Sequence, residues 1–260
     1  MASRNFFKTV RVTILLVVLF FVGMNSWLTQ LRTTDWDDTL WVAVYPINGD
    51  GSAATQSYID RLSRDSFESV ETFLSTESER YGVSVNTPVT LRLAPQINEK
   101  PPAPPANPGT FSIMLWSLKL RYWAWRNDSF DGPQPDVQMY VVYHDPNLSN
   151  RVAHSLGLQK GMIGVVNAFA AADLTERNNV VIAHEFLHTV GASDKYDLSN
   201  NLPIYPDGYA DPQRSPRFPQ THAEVMGGRV PVSELSATMP KSLRLCRIGD
   251  ATAREIRWLD

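Results

Sequence analysis

Cysteine is all but missing. Cys246 stands alone among 260 residues, which excludes an intrachain disulfide and a zinc cluster built on thiolates. Its late position excludes a lipid-bearing N-terminal cysteine, and a small buried apolar residue is the expected role. Surplus positive charge is missing too. The chain has 24 Lys and Arg against 27 Asp and Glu, a net charge of −3. Nothing is available to neutralise many phosphates, so nucleic acid is excluded as a partner. Internal repeats are absent. The length and the 43% hydrophobic content suit one ordinary globular domain with a sizeable core.

Long apolar runs are scarce, and the one that matters is at the start. After Arg4, Lys8 and Arg11 the chain is apolar over 12–22 and weakly so to residue 28. Residues 12–28 form about 25 Å of helix, the lower limit for a membrane span. The small residues of a signal-peptide cleavage site are lacking, since "VGMNSW" offers only poor pairs such as Gly23 with Asn25. An uncleaved anchor is therefore expected. Basic residues precede it and Asp35, Asp37 and Asp38 follow, which puts residues 1–11 in the cytoplasm and everything after about residue 29 outside it. In a double-membraned bacterium that side is the periplasm. The expected organisation is a cytoplasmic start (1–11), an anchor (12–28), a linker (29–38) and one domain (39–260).

Within the domain, "TLWVAVYPIN" (39–48) reads as a strand before an "NGDG" turn. Residues 57–82 have helical spacing at Ile59, Leu62, Phe67, Val70, Phe73 and Leu74, with Gly82 as the stop. A second strand is expected over 87–95, and the proline-rich 101–108 reads as a stiff extended loop. Residues 110–128 predict a helix whose stripe Phe111, Leu115, Leu118, Tyr122 and Trp125 should pack on a sheet. Trp116, Trp123 and Trp125 among Lys119, Arg121 and Arg126 offer a competing reading, contact with a membrane surface. Strands follow over 136–146 and 160–170. A helix comes next, with Asp173 and Glu176 at capping-box spacing, or with a later start near Asn178, and Gly191 as its end. A long loop and a short closing helix with Asp250 as a cap complete the order. The fold class expected is α/β, a sheet with a helix behind it.

The chemistry concentrates in "VVIAHEFLHTVGASDKYD" (180–197). Residues four apart share a helix face, so His184 and His188 aim two imidazoles at one point. Neutral imidazole is a favoured zinc ligand. Glu185, beside that face, can take a proton from water that the ion polarises. Val180, Ala183, Leu187 and Val190 form the stripe that seats the helix. A catalytic zinc needs a third protein ligand. In a continued helix Asp194 would lie about 9 Å beyond His188, while ligand atoms around one zinc sit about 3–4 Å apart. The chain must leave the helix and turn back, and Gly191 permits that. Asp194 is the candidate this favours. Asp197, His222 and Glu224 are rivals without such a turn behind them. The full pattern arises by chance in roughly one such chain in 10⁵, which sets it above a helix with surface histidines.

"HEFLHTVGASD" followed by "AEVMGG" resembles the metzincin clan of zinc endopeptidases. Most of that clan has histidine at the third ligand position. An aspartate there resembles the small snapalysin-like proteases. The resemblance implies one catalytic zinc on His184, His188 and Asp194, with Glu185 as general base. Met226 would be the methionine of the tight turn beneath the zinc, packing and not ligating. Tyr196 matches a tyrosine of the snapalysin-like proteases, and its phenol would polarise the substrate carbonyl or stabilise the oxyanion. "GMIGVVNAFA" (161–170) would be the strand bordering the cleft, along which an extended peptide could pair. The implied fold is an α/β (α+β) metzincin-like twisted mixed sheet, with an active-site helix and a C-terminal helix, behind a transmembrane anchor. The function expected is a membrane-anchored zinc metalloendopeptidase acting on a peptide or protein substrate. The alternative is a zinc-stabilised, non-catalytic binding or assembly module at the membrane surface.

Overall fold

The computed structural model describes residues 35–107, 109–149, 151–158 and 162–260, with the helical positions 10–13, 16–17 and 20. Most of the expected anchor, and the linker up to residue 34, lie outside the described residues. Among the described residues no helix is long and apolar enough to cross a membrane.

The domain is built on a mixed five-stranded sheet. Its strands are β1 (Leu40–Asn48), β2 (Val89–Leu93), β3 (Val137–His144), β4 (Leu156–Leu158) and β5 (Ile163–Phe169), in the order β2-β1-β3-β5-β4. Four run parallel, and β4 pairs antiparallel with β5 at the edge. Parallel strands covered on both faces need apolar residues at nearly every position, and β1 and β3 have them. Side chains alternate between the faces. Met139, Val141 and Tyr143 enter one core, Tyr140 and Val142 the other.

Helices cover both faces, where the residue order had suggested one helix behind the sheet. On one face lie α1 (Ala53–Ile59), α2 (Glu68–Arg80) and α4 (Thr175–Thr189). On the other lies α3 (Thr110–Asn127), whose Trp116, Leu120, Trp123 and Ala124 pack on Tyr45, Tyr140 and Val142. The Trp123 ring meets Tyr140 edge-on at 4.8 Å, and Trp116 Nε1–H donates to the Pro102 carbonyl at 2.8 Å. The Pro-rich loop is thereby fixed to the helix it precedes.

Four expectations are corrected. The buried stripe of α3 is not the one foreseen: Phe111, Leu115, Leu118, Tyr122 and Trp125 face solvent. The helix has apolar residues on opposite sides, and periodicity cannot say which side meets a sheet. The single helix over 57–82 is two. Helix α1 ends at Asp60, a 3₁₀ turn follows at Arg64–Phe67, and α2 begins at Glu68. Ser63 N–H donates to Ser66 Oγ at 3.1 Å and restarts the chain there, which lets Tyr58 and Phe67 both reach the core. Asp173 forms no cap on α4, which starts after a 3₁₀ turn at Ala172–Leu174. Asp250 is the first residue of the closing helix α5 (Asp250–Glu255) and not its cap; its carboxylate accepts from the Tyr81 hydroxyl at 3.0 Å.

The chain beyond α4 is held by short pairings. These are β6 (Tyr196–Asp197) with β7 (Leu202–Pro203), β8 (Ala223–Glu224) with β11 (Cys246–Arg247), and the hairpin β9 (Val230–Ser233)–β10 (Ser236–Thr238). Cys246 is fully buried, as its solitary occurrence suggested. Trp36, before β1, donates to the Ile256 carbonyl at 2.6 Å and packs edge-on against Trp258. The start and end of the domain are thus joined.

Leu120→Ala should lower unfolding free energy by about 2–5 kcal/mol, and Leu118→Ala on the same helix by no more than about 0.5 kcal/mol. Urea denaturation of the two variants measures the difference.

Candidate metal centre

Helix α4 seats itself as its pattern requires. Val180, Ala183, Leu187 and Val190 are all buried in the larger core. That orients His184 and His188 side by side, one turn apart. Each imidazole is held from behind by a carbonyl. His184 Nδ1 lies 2.9 Å from the Val225 carbonyl, and His188 Nδ1 lies 2.8 Å from that of Ala192. A carbonyl only accepts, so both Nδ1 atoms carry the proton and both Nε2 lone pairs point forward. This tautomer is the one a metal-ligating histidine needs.

The helix ends at Gly191, whose φ of 115° belongs to the left-handed region. Ala192 N–H donates to the Leu187 carbonyl at 3.0 Å and Gly191 N–H to that of His188 at 3.2 Å. These two bonds are a Schellman stop. The reversal does two things. It presents the Ala192 carbonyl to His188, and it returns Asp194 to the imidazoles. Asp194 Oδ1 lies 3.2 Å from each Nε2, and the two Nε2 atoms are 3.1 Å apart. Three protein bonds of about 2.0–2.2 Å to a tetrahedral zinc make edges of about 3.3–3.5 Å. The triangle is a few tenths of an ångström tighter, so the set fits such an ion with little movement. Among the described residues this is the group of His, Cys, Asp or Glu that meets metal-ligand spacing. Burial opposes ionisation of Asp194, but the two imidazoles outweigh it and hold the carboxyl well below its ordinary range.

The rivals are placed elsewhere. His222 Nδ1 pairs with Thr221 Oγ1, and Asp197 accepts the Ser199 N–H at an exposed turn. Glu224 is fully buried and spent on Gly227 N–H, Gly249 N–H and the Thr252 hydroxyl. It staples the turn that contains Met226 to the start of α5. Met226 itself has no exposed surface. The backbone around it acts on both sides of the site: the Val225 carbonyl holds His184, and the Met226 carbonyl accepts the Lys195 N–H at 2.9 Å. The turn therefore positions ligands and supplies none.

A second clamp brackets Asp194. The Glu255 carboxylate of α5 accepts Ser193 N–H at 2.9 Å, the Ser193 hydroxyl at 2.6 Å and Lys195 Nζ at 2.6 Å. Burial raises the Glu255 pKa, but the Lys195 and Ser193 bonds outweigh it and the net direction is down. A carboxylate whose folded pKa is depressed contributes stability that is complete above its unfolded value, about 4.3. That stability is lost as the pH falls through the lower folded value. The clamp loosens only in acid.

Glu185 lies beside the triangle with 5% of its surface exposed, and its Oε2 has no hydrogen-bond partner. Burial raises its pKa, against the pull of the two imidazoles. Tyr196 stands nearby, its ring 6.3 Å from that of His184. Burial, then the charges of Asp194 and Glu185, push its pKa up to about 12, so the phenol keeps its proton. His184, Glu185 and Tyr196 line a cleft of about 370 Å³ that also takes in His154, Asn167 and Arg229. The wall expected from 161–170 is not the free edge. Strand β4 covers it, pairing Gly157 with Gly164. Gly157 is a site residue that periodicity could not find. A Cβ there would lie 2.4 Å from the Glu185 carbonyl oxygen and 2.5 Å from His188 Cβ. Only glycine lets β4 lie this close to α4.

No protein-family model matches the chain, and no curated protein matches it. Among solved structures, the chain is similar to one in a chaperone–substrate complex, with a TM-score of 0.38 and 13% identity, covering 86% of this chain and 35% of that one. It is also similar to wild-type OgpA from Akkermansia muciniphila, with a TM-score of 0.37 and 13% identity, covering 82% of this chain and 58% of that one. The chain thus spans less than two thirds of the length of either.

Removing a partner that orients a ligand weakens a metal by about 10–100-fold. That loss is expected for Glu255→Gln and Gly157→Ala, while His222→Ala and Asp197→Asn should bind zinc as wild type does. Competition titration with a chromophoric chelator checks all four.

Proposed function

We propose that the chain is a membrane-anchored zinc metalloendopeptidase, metzincin-like in fold and snapalysin-like in its third ligand, acting outside the cytoplasm. The observation that carries this reading is the triangle of His184, His188 and Asp194 with an unpartnered buried carboxylate oxygen beside it. The mixed sheet, the ligand-bearing helix, the buried Met226 turn and the C-terminal helix are the parts the likeness calls for, and they support it.

Zinc held by these three residues would supply Lewis acidity, polarising a water and the scissile carbonyl. The protein's own groups do the rest. Glu185 takes the proton from water as it attacks the peptide carbonyl, and returns it to the leaving amine. A base with raised pKa suits that exchange better than an ordinary carboxylate. Tyr196, protonated up to about pH 12, donates its O–H to the carbonyl oxygen as negative charge develops there. The free edge of β4, beside the cleft, offers backbone groups to an extended peptide, which would add as one more strand.

The alternative, a zinc-stabilised binding module, leaves Glu185 without a purpose. A buried unsatisfied polar atom costs about 1–3 kcal/mol, and a structural site gains nothing from retaining it. A structural zinc is also usually closed by four protein ligands, and the described residues bring together three.

The test is cleavage of a fluorogenic peptide library. Wild type should cleave, a chelator should abolish cleavage, and zinc should restore it. Glu185→Gln should keep one zinc and lose at least about 10²-fold in kcat/KM. An aspartate ligand leaves the ion less positive than a third histidine would, so the pH optimum should lie at or above neutral. Wild type with one zinc and no cleavage across a broad library overturns the enzymatic reading; an optimum below about pH 6 contradicts the role given to Asp194.

A further inference from the structure

Helix α3 has two apolar faces, and only one is spent on the sheet. The outer face is Phe111, Met114, Leu115, Leu118, Tyr122 and Trp125, all within one stripe of the helix. These residues are exposed, from 44% at Leu115 to 74% at Trp125. A contiguous apolar patch of this kind marks an interaction surface. Its charge identifies the partner. Lys119, Arg121 and Arg126 flank the stripe, and no Asp or Glu occurs within 110–127, although the whole chain is net negative. Tyr122 and Trp125, adjacent at 5.9 Å between ring centroids, combine an apolar body with a polar tip, as side chains at a bilayer surface do.

From this we infer that α3 docks on an anionic bilayer. The outer stripe enters the boundary between headgroups and acyl chains, and Lys119, Arg121 and Arg126 meet lipid phosphates. The topology agrees. In the crossover between the parallel strands β2 and β3, α3 is capped by Asp128, whose carboxylate accepts the Tyr45 hydroxyl of β1 at 2.5 Å. Asp136, just before β3, returns the chain to the start of β1: its carboxylate accepts the Trp41 N–H and its own N–H donates to the Trp41 carbonyl, both at 2.9 Å. The chain enters the domain at that end, and residues 29–35 reach at most about 25 Å. A second copy is disfavoured as the occupant, because two-fold pairing would bring together six cations and no acid. The apolar segment 12–28 would leave the same cations unmatched. Of the proposed function this inference borrows only the anchor; it is independent of the zinc chemistry.

The test uses the full chain reconstituted with phosphatidylcholine vesicles containing phosphatidylglycerol. Nitroxide labels are placed by Leu118→Cys and Tyr122→Cys, with Leu235→Cys, 88% exposed elsewhere, as the aqueous control; Cys246 is buried and stays unlabelled. Collision with lipid-soluble oxygen relative to a water-soluble nickel chelate should be several-fold higher at 118 and 122 than at 235. Lys119→Glu with Arg126→Glu, both exposed and expected to fold, should return 118 to the aqueous value. Flotation reports the anchor separately. Flotation with 118 as nickel-accessible as 235 overturns the docking and leaves the anchor. Shielding of 118 from both reagents means that protein covers the face, which also overturns it. Failure to float overturns both.

Discussion

Two imidazole N–H groups, each held by a backbone carbonyl, decide where His184 and His188 point. The rest of the site depends on where those carbonyls are. One belongs to Val225, two residues before Gly227 and on the turn that Glu224 ties to α5. The other belongs to Ala192, set in place by the left-handed Gly191. A third contribution, the Asp194 carboxylate, is placed by the same reversal and braced from Glu255. The two imidazoles are oriented by main-chain carbonyls and Asp194 is braced by a side-chain carboxylate, so separate stretches of chain converge on one triangle.

This arrangement gives the C-terminal part of the chain its purpose. Helix α5 is short and carries no ligand. Its Glu255 holds both neighbours of Asp194, and Thr252 shares Glu224 with the Met226 turn. The Trp36–Trp258 contact then closes the far side of the same core. The sheet supplies the opposite wall. There the glycine at 157 lets the edge strand approach α4 closely enough to enclose Glu185. The carboxylate is shielded from water, which is why its proton affinity rises.

Much of this could be read in the residue order, for identifiable reasons. Helical periodicity placed α4, and its stripe is buried as expected, joined by Ile182 and Phe186 on the adjoining arc of the helix. The distance from His188 to Asp194 demanded a reversal, and Gly191 makes it. Other features had no local signal. On α3 both sides are apolar, so the period was right and the face was wrong; only the contact with Tyr140 and Tyr45 decides it. The break at residues 60–63 depends on burying Tyr58 and Phe67 together. Strand β4 has three residues, too few for a pattern. The Glu255 clamp joins positions some sixty residues apart, and each of its members reads as an ordinary polar surface residue. Glu224 could be weighed only as a ligand until its three donors were seen.

We propose that two imidazoles and one aspartate would hold a zinc ion, without sulfur. Zinc K-edge X-ray absorption of the purified chain tests it most directly. Only nitrogen and oxygen neighbours at about 2.0–2.2 Å are expected, with outer-shell scattering from two imidazole rings that falls to one in His188→Ala. Sulfur at about 2.3 Å, or a zinc shell unaltered by His188→Ala and Asp194→Ala, would contradict it.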